Sequence, residues 1–257
     1  MSLPQHLLFI AAVALAGYVQ NVTGFAFGLV LLGLVGLLEL APLADATIAV
    51  SVVALANAAM LGRHAVARLD RRTLLPTLAG STAGVIAGVT LLAWLSDGVA
   101  VALRLLLGLT IVVCAALLVM RSRPLQQASS RKAFAGAGLV SGLLGGLFAT
   151  GGPPLVYHYY RQPLELDRIR SALVIVFAAS AVIRLGLLGG AGRITGHAVL
   201  MSLEALPVVL LLGCAARRWP PTTSIQAVRR WVALLLTAAG LGLSVPATLQ
   251  LVRAAAA

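Results

Sequence analysis

The 257 residues are 60% hydrophobic and only 10% charged, and their mean hydropathy is +1.02. Soluble chains carry roughly 25% charged residues, so a water-covered fold is excluded, and no polar stretch remains that could form a globular domain beside a single anchor. Nineteen Lys and Arg against seven Asp and Glu give +12, but the basic residues fall between apolar runs rather than in a stripe with aromatics, which points to membrane lipid as the partner and not to nucleic acid.

A bilayer core of about 30 Å takes about 20 helical residues to cross. The first apolar region, 5–38, is longer than that. It is interrupted at Gln20-Asn21-Val22-Thr23-Gly24, which predicts two arms of about 15 residues each. No Lys or Arg precedes Arg63, so a cleavable signal peptide is not expected. Full spans are predicted at 45–62, 73–95 and 98–120. A second interrupted region, 133–160, breaks at Thr150-Gly151-Gly152-Pro153-Pro154. The arm left before Arg161 covers roughly 12 Å and cannot cross. Spans follow at 168–189 and 229–250, with a slightly short one at 197–214. Cys114 and Cys214 lie inside apolar runs without metal-ligand spacing and are assigned to packing.

Irregular backbone inside a membrane is tolerated only where protein or a cavity covers it. Both interrupted regions are therefore read as broken helices or re-entrant hairpins, in an all-α integral membrane protein of 8 to 10 membrane segments. Shifted by 121 to 125 residues, the chain matches itself: Gly17, Gly24, Asp45, Gly88, Trp94 and Arg104 fall on Gly138, Gly145, Asp167, Gly213, Trp219 and Arg229. Two repeats, 1–125 and 126–257, are expected. Fifteen of the nineteen positive charges lie in loops 63–72, 121–132, 161–170 and 217–230. The positive-inside rule makes that side cytoplasmic, places both termini outside, and puts corresponding loops of the two halves on opposite faces. The repeats are thus expected to be inverted.

Inverted repeats with one broken helix each are the architecture of secondary transporters, with substrate held where the breaks meet. A helix that starts inside the membrane presents unpaired N–H groups and a positive dipole end, and so attracts an anion. The first-half candidates are Gln20, Asn21, Thr23 and Gly24, with Phe25 beside them. In the second half they are Thr150, Gly151, Gly152 and Pro153, the α-helix after them offering the same donors. Gly17, Gly138 and Gly142 are read as packing glycines. Arg184 and Glu204 lie at similar depth in neighbouring spans, which suggests an ion pair or a coupling role in which Glu204 takes up a proton. No Arg is expected at the midplane against the anion. Arg104 is read as snorkelling, Asn57 as reaching the cavity or bonding a neighbouring helix, and His158 as part of an interfacial aromatic belt. Ser141 counts among the substrate-binding candidates. It lacks the G-x-S-x-G context of a hydrolase, and no metal or nucleotide motif is present, so neither catalysis nor a cofactor is expected.

Gly17 to Gly28 (GYVQNVTGFAFG) and Gly138 to Pro154 (GLVSGLLGGLFATGGPP) resemble the paired signatures of the sulfite exporter TauE/SafE family, also called the toluene sulfonate uptake permease family. The resemblance covers nearly the full length. It implies transport of sulfur-containing anions such as sulfite, sulfoacetate, other organosulfonates or thiosulfate, often as export and with proton coupling. It also implies binding positions at Gln20, Asn21, Thr23 and Gly24 and at Thr150, Gly151, Gly152 and Pro153. The expected partners are a small anion and lipid, with a homodimer as an option. The alternatives are a carrier of another small organic anion or metabolite, and a membrane assembly subunit that has no cavity.

Overall fold

A computed structural model describes residues 3–23, 25–60, 69–95, 100–119, 125–219 and 225–255. Among the described residues there are ten helices and no strand. The first interrupted region forms α1 (Leu3–Thr23) and α2 (Phe27–Leu37), followed by α3 (Leu43–Ala59), α4 (Arg71–Leu95) and α5 (Ala100–Val119). The second forms α6 (Arg131–Phe148) and α7 (Gly152–Tyr160), followed by α8 (Leu166–Gly190), α9 (Gly196–Arg218) and α10 (Ile225–Ala255). Five helices, α1, α4, α8, α9 and α10, are long and apolar enough to cross a membrane. The protein is a multi-pass membrane protein.

Several boundaries differ from expectation. The first break lies after the polar tetrad, not within it, so its arms are 21 and 11 residues long instead of about 15 each. Gln20 to Thr23 continue α1 because their backbone groups stay in the helical ladder, and the chain turns only where Ala26 takes a left-handed φ of 79°. Gly24 lies outside the described residues. The second break falls at Ala149 to Gly151, with Ala149 at φ 57°, and Pro153 sits in the first turn of α7, where a missing N–H is tolerated. Helix α3 has 17 residues, about 25 Å, and stops short of the predicted 45–62 span. Helix α9, expected to be short, has 23 residues, because Thr195 caps it by accepting from the Ala198 N–H at 3.0 Å.

Helices α4 and α6 approach backbone to backbone. Gly80, Gly84 and Gly88 form one stripe and Gly138, Gly142 and Gly146 the other, each repeating every fourth residue and so lying on one helix face. A Cβ on Gly84 would lie 2.2 Å from the Leu139 carbonyl oxygen, and one on Gly142 would lie 2.2 Å from that of Ser81. Gly108 of α5 and Gly240 of α10 make a second such approach. In addition α1 packs on α9, α3 on both α9 and α8, α4 on α8, α2 on α10 and α5 on α7. The short helices α2 and α7 are thereby enclosed, and Leu31, Leu32, Leu155 and Tyr159 have no exposed surface.

The aromatic cluster before Arg161 is not an interfacial belt. His158 meets the Phe134 ring edge-on at 4.8 Å, and the Tyr159 hydroxyl lies 3.1 Å from that of Thr77, so both rings serve to dock α7 on α6 and α4. Trp94, Trp219 and Trp231 near helix ends are the strongly exposed aromatics, as suits rings at headgroup level. Cys114 is buried, whereas Cys214 is exposed and does not pack in the interior.

Gly84→Val should force α4 and α6 apart at a cost of about 1–3 kcal/mol or more and lower the melting temperature of the detergent-purified protein. Gly136→Ala, where an added Cβ meets nothing within 4 Å, should leave it unchanged. Equal melting curves for the two variants would show that the glycine stripes do not set the helix distance.

Candidate functional site

The two breaks touch. A Cβ on Gly28 would lie 3.2 Å from Thr150 Cγ2 and 3.3 Å from the Ala149 carbonyl oxygen, and one on Gly152 would lie 3.6 Å from the Phe25 ring. Between them is a cavity of about 100 Å³ lined by both breaks together with α3, α6 and α8. It has room for a small ion but not for a drug-sized molecule, whose pockets run to roughly 300–1,000 Å³. Gln20, Phe25, Asn57, Ser141, Thr150, Gly151, Gly152, Pro153 and Arg184 all line it.

Three expected site residues do not. Because Gln20 and Asn21 are helical, their side chains diverge by about 100°, and Asn21 is exposed on the far face. Thr23 is buried, with its hydroxyl 2.7 Å from both the Val19 and Phe25 carbonyl oxygens, and it shapes the break instead of facing the cavity. Glu204 is held elsewhere, as described below. Ser141 lines the cavity, but its hydroxyl donates to the Gly151 carbonyl oxygen, which anchors the second break to α6.

The donors at the two breaks are unequal. By helix geometry the N–H groups of Phe27, Gly28 and Leu29 have no acceptor in α2, whose cap Ala26 offers no side chain to them. In α7, Pro153 and Pro154 carry no N–H, so the first turn keeps that of Gly152 and loses the next two. The expectation of equivalent N-terminal donors in both halves is corrected accordingly. The Thr150 hydroxyl compensates in part: the residue is 4% exposed and its Oγ1 has no partner among the described residues.

Arg184 overturns two expectations. It does not pair with Glu204, whose Oε1 lies 2.9 Å from Nδ1 of His6. Instead its side chain turns inward from α8 to the cavity, where no Arg was expected, and only 2% of its surface is exposed. Nη2 donates to Thr47 Oγ1 at 2.8 Å, Nη1 to the Thr47 carbonyl and Ser51 Oγ at 3.3 Å, and Nε to the Gly146 carbonyl at 3.1 Å. Every one of these acceptors is neutral. A buried ion without a counter-charge bears a desolvation penalty of several kcal/mol, and Arg184 is the charged residue of the cavity lining. The site is therefore a small positive pocket with amide, hydroxyl and backbone donors, suited to an oxyanion. The sequence did hold a signal for this. Thr47 and Ser51 stand four apart on the same face of α3, two hydroxyls facing one buried cation.

Among the described residues no group of three or more His, Cys, Asp or Glu side chains could hold a metal ion. Ser141 and His158 form no hydrogen bond with one another, the first being bonded to Gly151 and the second meeting the Phe134 ring edge-on.

Residues 9–243 match the family described as sulfite exporter TauE/SafE. The chain is 35% identical over 230 residues, 90% of both chains, to the "Probable sulfite/organosulfonate exporter TauE" of Cupriavidus necator. It is 39% identical over 115 residues, covering 43% of this chain and 46% of the other, to the "Probable inner membrane transporter protein TsaS" of Comamonas testosteroni. No solved structure matches it.

Gly151→Ala should destabilise the fold, since its Cβ would lie 2.2 Å from the Ser141 carbonyl oxygen, whereas Gly152→Ala meets only ordinary contacts of 3.6 Å and beyond and should melt like the parent. Thermal unfolding in detergent checks the pair.

Proposed function

Because the chain belongs to the sulfite exporter TauE/SafE family, we propose that it is a secondary transporter of small sulfur oxyanions, sulfite or an organosulfonate among them, bound between the two helix breaks. The observation that carries this is the cavity of about 100 Å³ where Arg184 has only neutral partners and the Thr150 hydroxyl has none among the described residues. One oxygen of an SO₃ group can accept the Nη2 hydrogen that the four bonds of Arg184 leave over, and the others can accept from the Thr150 hydroxyl or the Gln20 amide. The positive end of α2 adds a fixed partial charge on the same side. Thiosulfate and sulfoacetate present the same oxygens. Export is the proposed direction, in line with the name of the Cupriavidus relative. A cavity at this point disfavours an assembly subunit with a solid core.

Transport would proceed by alternating access between inverted repeats 1–125 and 126–257. Helices α2 and α7, α4 and α9, and α5 and α10 each begin 125 residues apart. Exchanging the halves turns the α1–α9 contact into α6–α4, α3–α9 into α8–α4, and α2–α10 into α7–α5, while α3–α8 and α5–α10 map onto themselves. On this offset Gly24 corresponds to Ala149, so the 121-residue match to Gly145 is about one helical turn out of register with the breaks. Fifteen of nineteen positive charges fall in the loops 63–72, 121–132, 161–170 and 217–230, whose side we take as cytoplasmic, with both termini outside.

Proton coupling would use Glu204. Its Oε2 is buried without a partner while Oε1 meets His6, an arrangement in which a carboxylate can gain a proton without losing its hydrogen bond.

Labelled sulfite, sulfoacetate and thiosulfate should cross proteoliposomes containing the protein faster than empty vesicles. Equal rates in both would overturn the proposal. Thr150→Val should weaken substrate binding about tenfold, as expected for one lost hydrogen bond to a charged group. Glu204→Gln should retain flux but lose its acceleration by a proton gradient, and an unchanged gradient response would remove Glu204 from the coupling step.

A further inference from the structure

A second cavity, of about 800 Å³, lies on the other side of Arg184. The first runs from Arg184 along α3 through Ser51 to Asn57 and along α8 back to Val174. The second runs the opposite way, through Thr47 to Leu43 on α3 and through Leu188 to Arg193 beyond α8. Asp45 at the start of α3 bonds Thr195 and His197 just beyond the end of α8, so the two packed helices run in opposite chain directions and the two cavities extend toward opposite ends of the protein. Among the described residues, Arg184 alone lines both.

Its hydrogen bonds straddle the same divide. Thr47 faces the second cavity and Ser51 the first, one helical turn apart, and both hold the guanidinium at once. No carboxylate lies within ion-pair distance of Arg184 among the described residues: Asp45 is bonded to Thr195 and His197, and Glu204 to His6. Neutral hydroxyls are exchangeable partners for a cation, since an anion arriving from either side makes stronger charge-assisted bonds to the same donors.

Building on the carrier reading above, we propose that Arg184 is both the wall between two vestibules and the hand-over point of the anion. An oxyanion entering the first cavity takes over the donor given to Ser51. One leaving through the second does so as Thr47 releases its donor, and the side chain never parts from the substrate between the two ends. The geometry makes sidedness depend on one side chain, which a purely structural clamp of α3, α6 and α8 would not.

The test uses the full chain in vesicles of both orientations, with Cys114→Ala and Cys214→Ala removing the native thiols. Ala54→Cys reports on the first cavity and Ala44→Cys on the second, each labelled with a membrane-impermeant maleimide from one face at a time. With Arg184 present, each cysteine should label from a single face, opposite for the two. Sulfite should slow both reactions. Arg184→Ala should raise labelling of Ala54→Cys from its closed face at least tenfold and abolish sulfite protection. Arg184→Lys, which keeps charge and bulk but loses the fork, covers the case in which the Ala variant fails to fold: sidedness should persist while sulfite protection falls about tenfold. Unchanged sidedness in Arg184→Ala, or full sulfite protection in Arg184→Lys, overturns the proposal. Absence of sulfite flux in the parent protein, with sidedness still dependent on Arg184, would instead overturn the substrate assignment and leave the wall standing.

Discussion

Backbone N–H and C=O groups cannot be left bare in hydrocarbon, and this chain interrupts two of its helices within apolar sequence. The interruptions cover one another. Gly28 lies against Ala149 and Thr150, Gly152 lies beside Phe25, and Ser141 and Thr23 bond to break carbonyls from within. Both breaks line one small cavity, with Arg184 and the Thr150 hydroxyl among its donors. The same requirement that makes the breaks tolerable thus brings polar groups of both together around Arg184.

Placement of the second break depends on the glycine stripes. With backbone against backbone along α4 and α6, little side-chain rearrangement is available at that contact, and α7 is pinned further by Phe134, His158, Tyr159 and Thr77. The contact of α1 on α9 is different in kind: Gly17 meets the side chains of Leu212 and Val209, which can turn about their own bonds. The α4–α6 seam is thus rigid and the α1–α9 seam adjustable.

Arg184 joins these parts. Its four donated bonds reach α3 and α6 from α8, so the cation is at once a strut and an unneutralised charge. Hydroxyl and carbonyl partners offset its desolvation only partly. A bound oxyanion would supply the missing counter-charge without requiring any other group to leave the cavity.

Hydropathy, charge placement and the two interruptions made the class legible from sequence: a membrane-embedded helical protein with broken segments, whose 138–154 signature resembles a transporter family to which the chain does belong. Those features are local or compositional, and each follows from what a stretch of about 20 residues can do in lipid. The point where α1 ends was not legible, because Gln20 to Thr23 are compatible with either helix or turn and only packing against α2, α9 and α10 decides between them. Nor was the divergence of Gln20 from Asn21, which follows once the helix continues. Sequence depth alone suggested that Arg184 would meet Glu204, yet depth says nothing of azimuth. Rotation of α8 turns Arg184 toward Thr47 and Ser51, 133 to 137 residues away in the chain, while α9 turns Glu204 toward His6. Which way a residue faces around its helix is a property of the assembled bundle, and the tertiary structure alone supplied it.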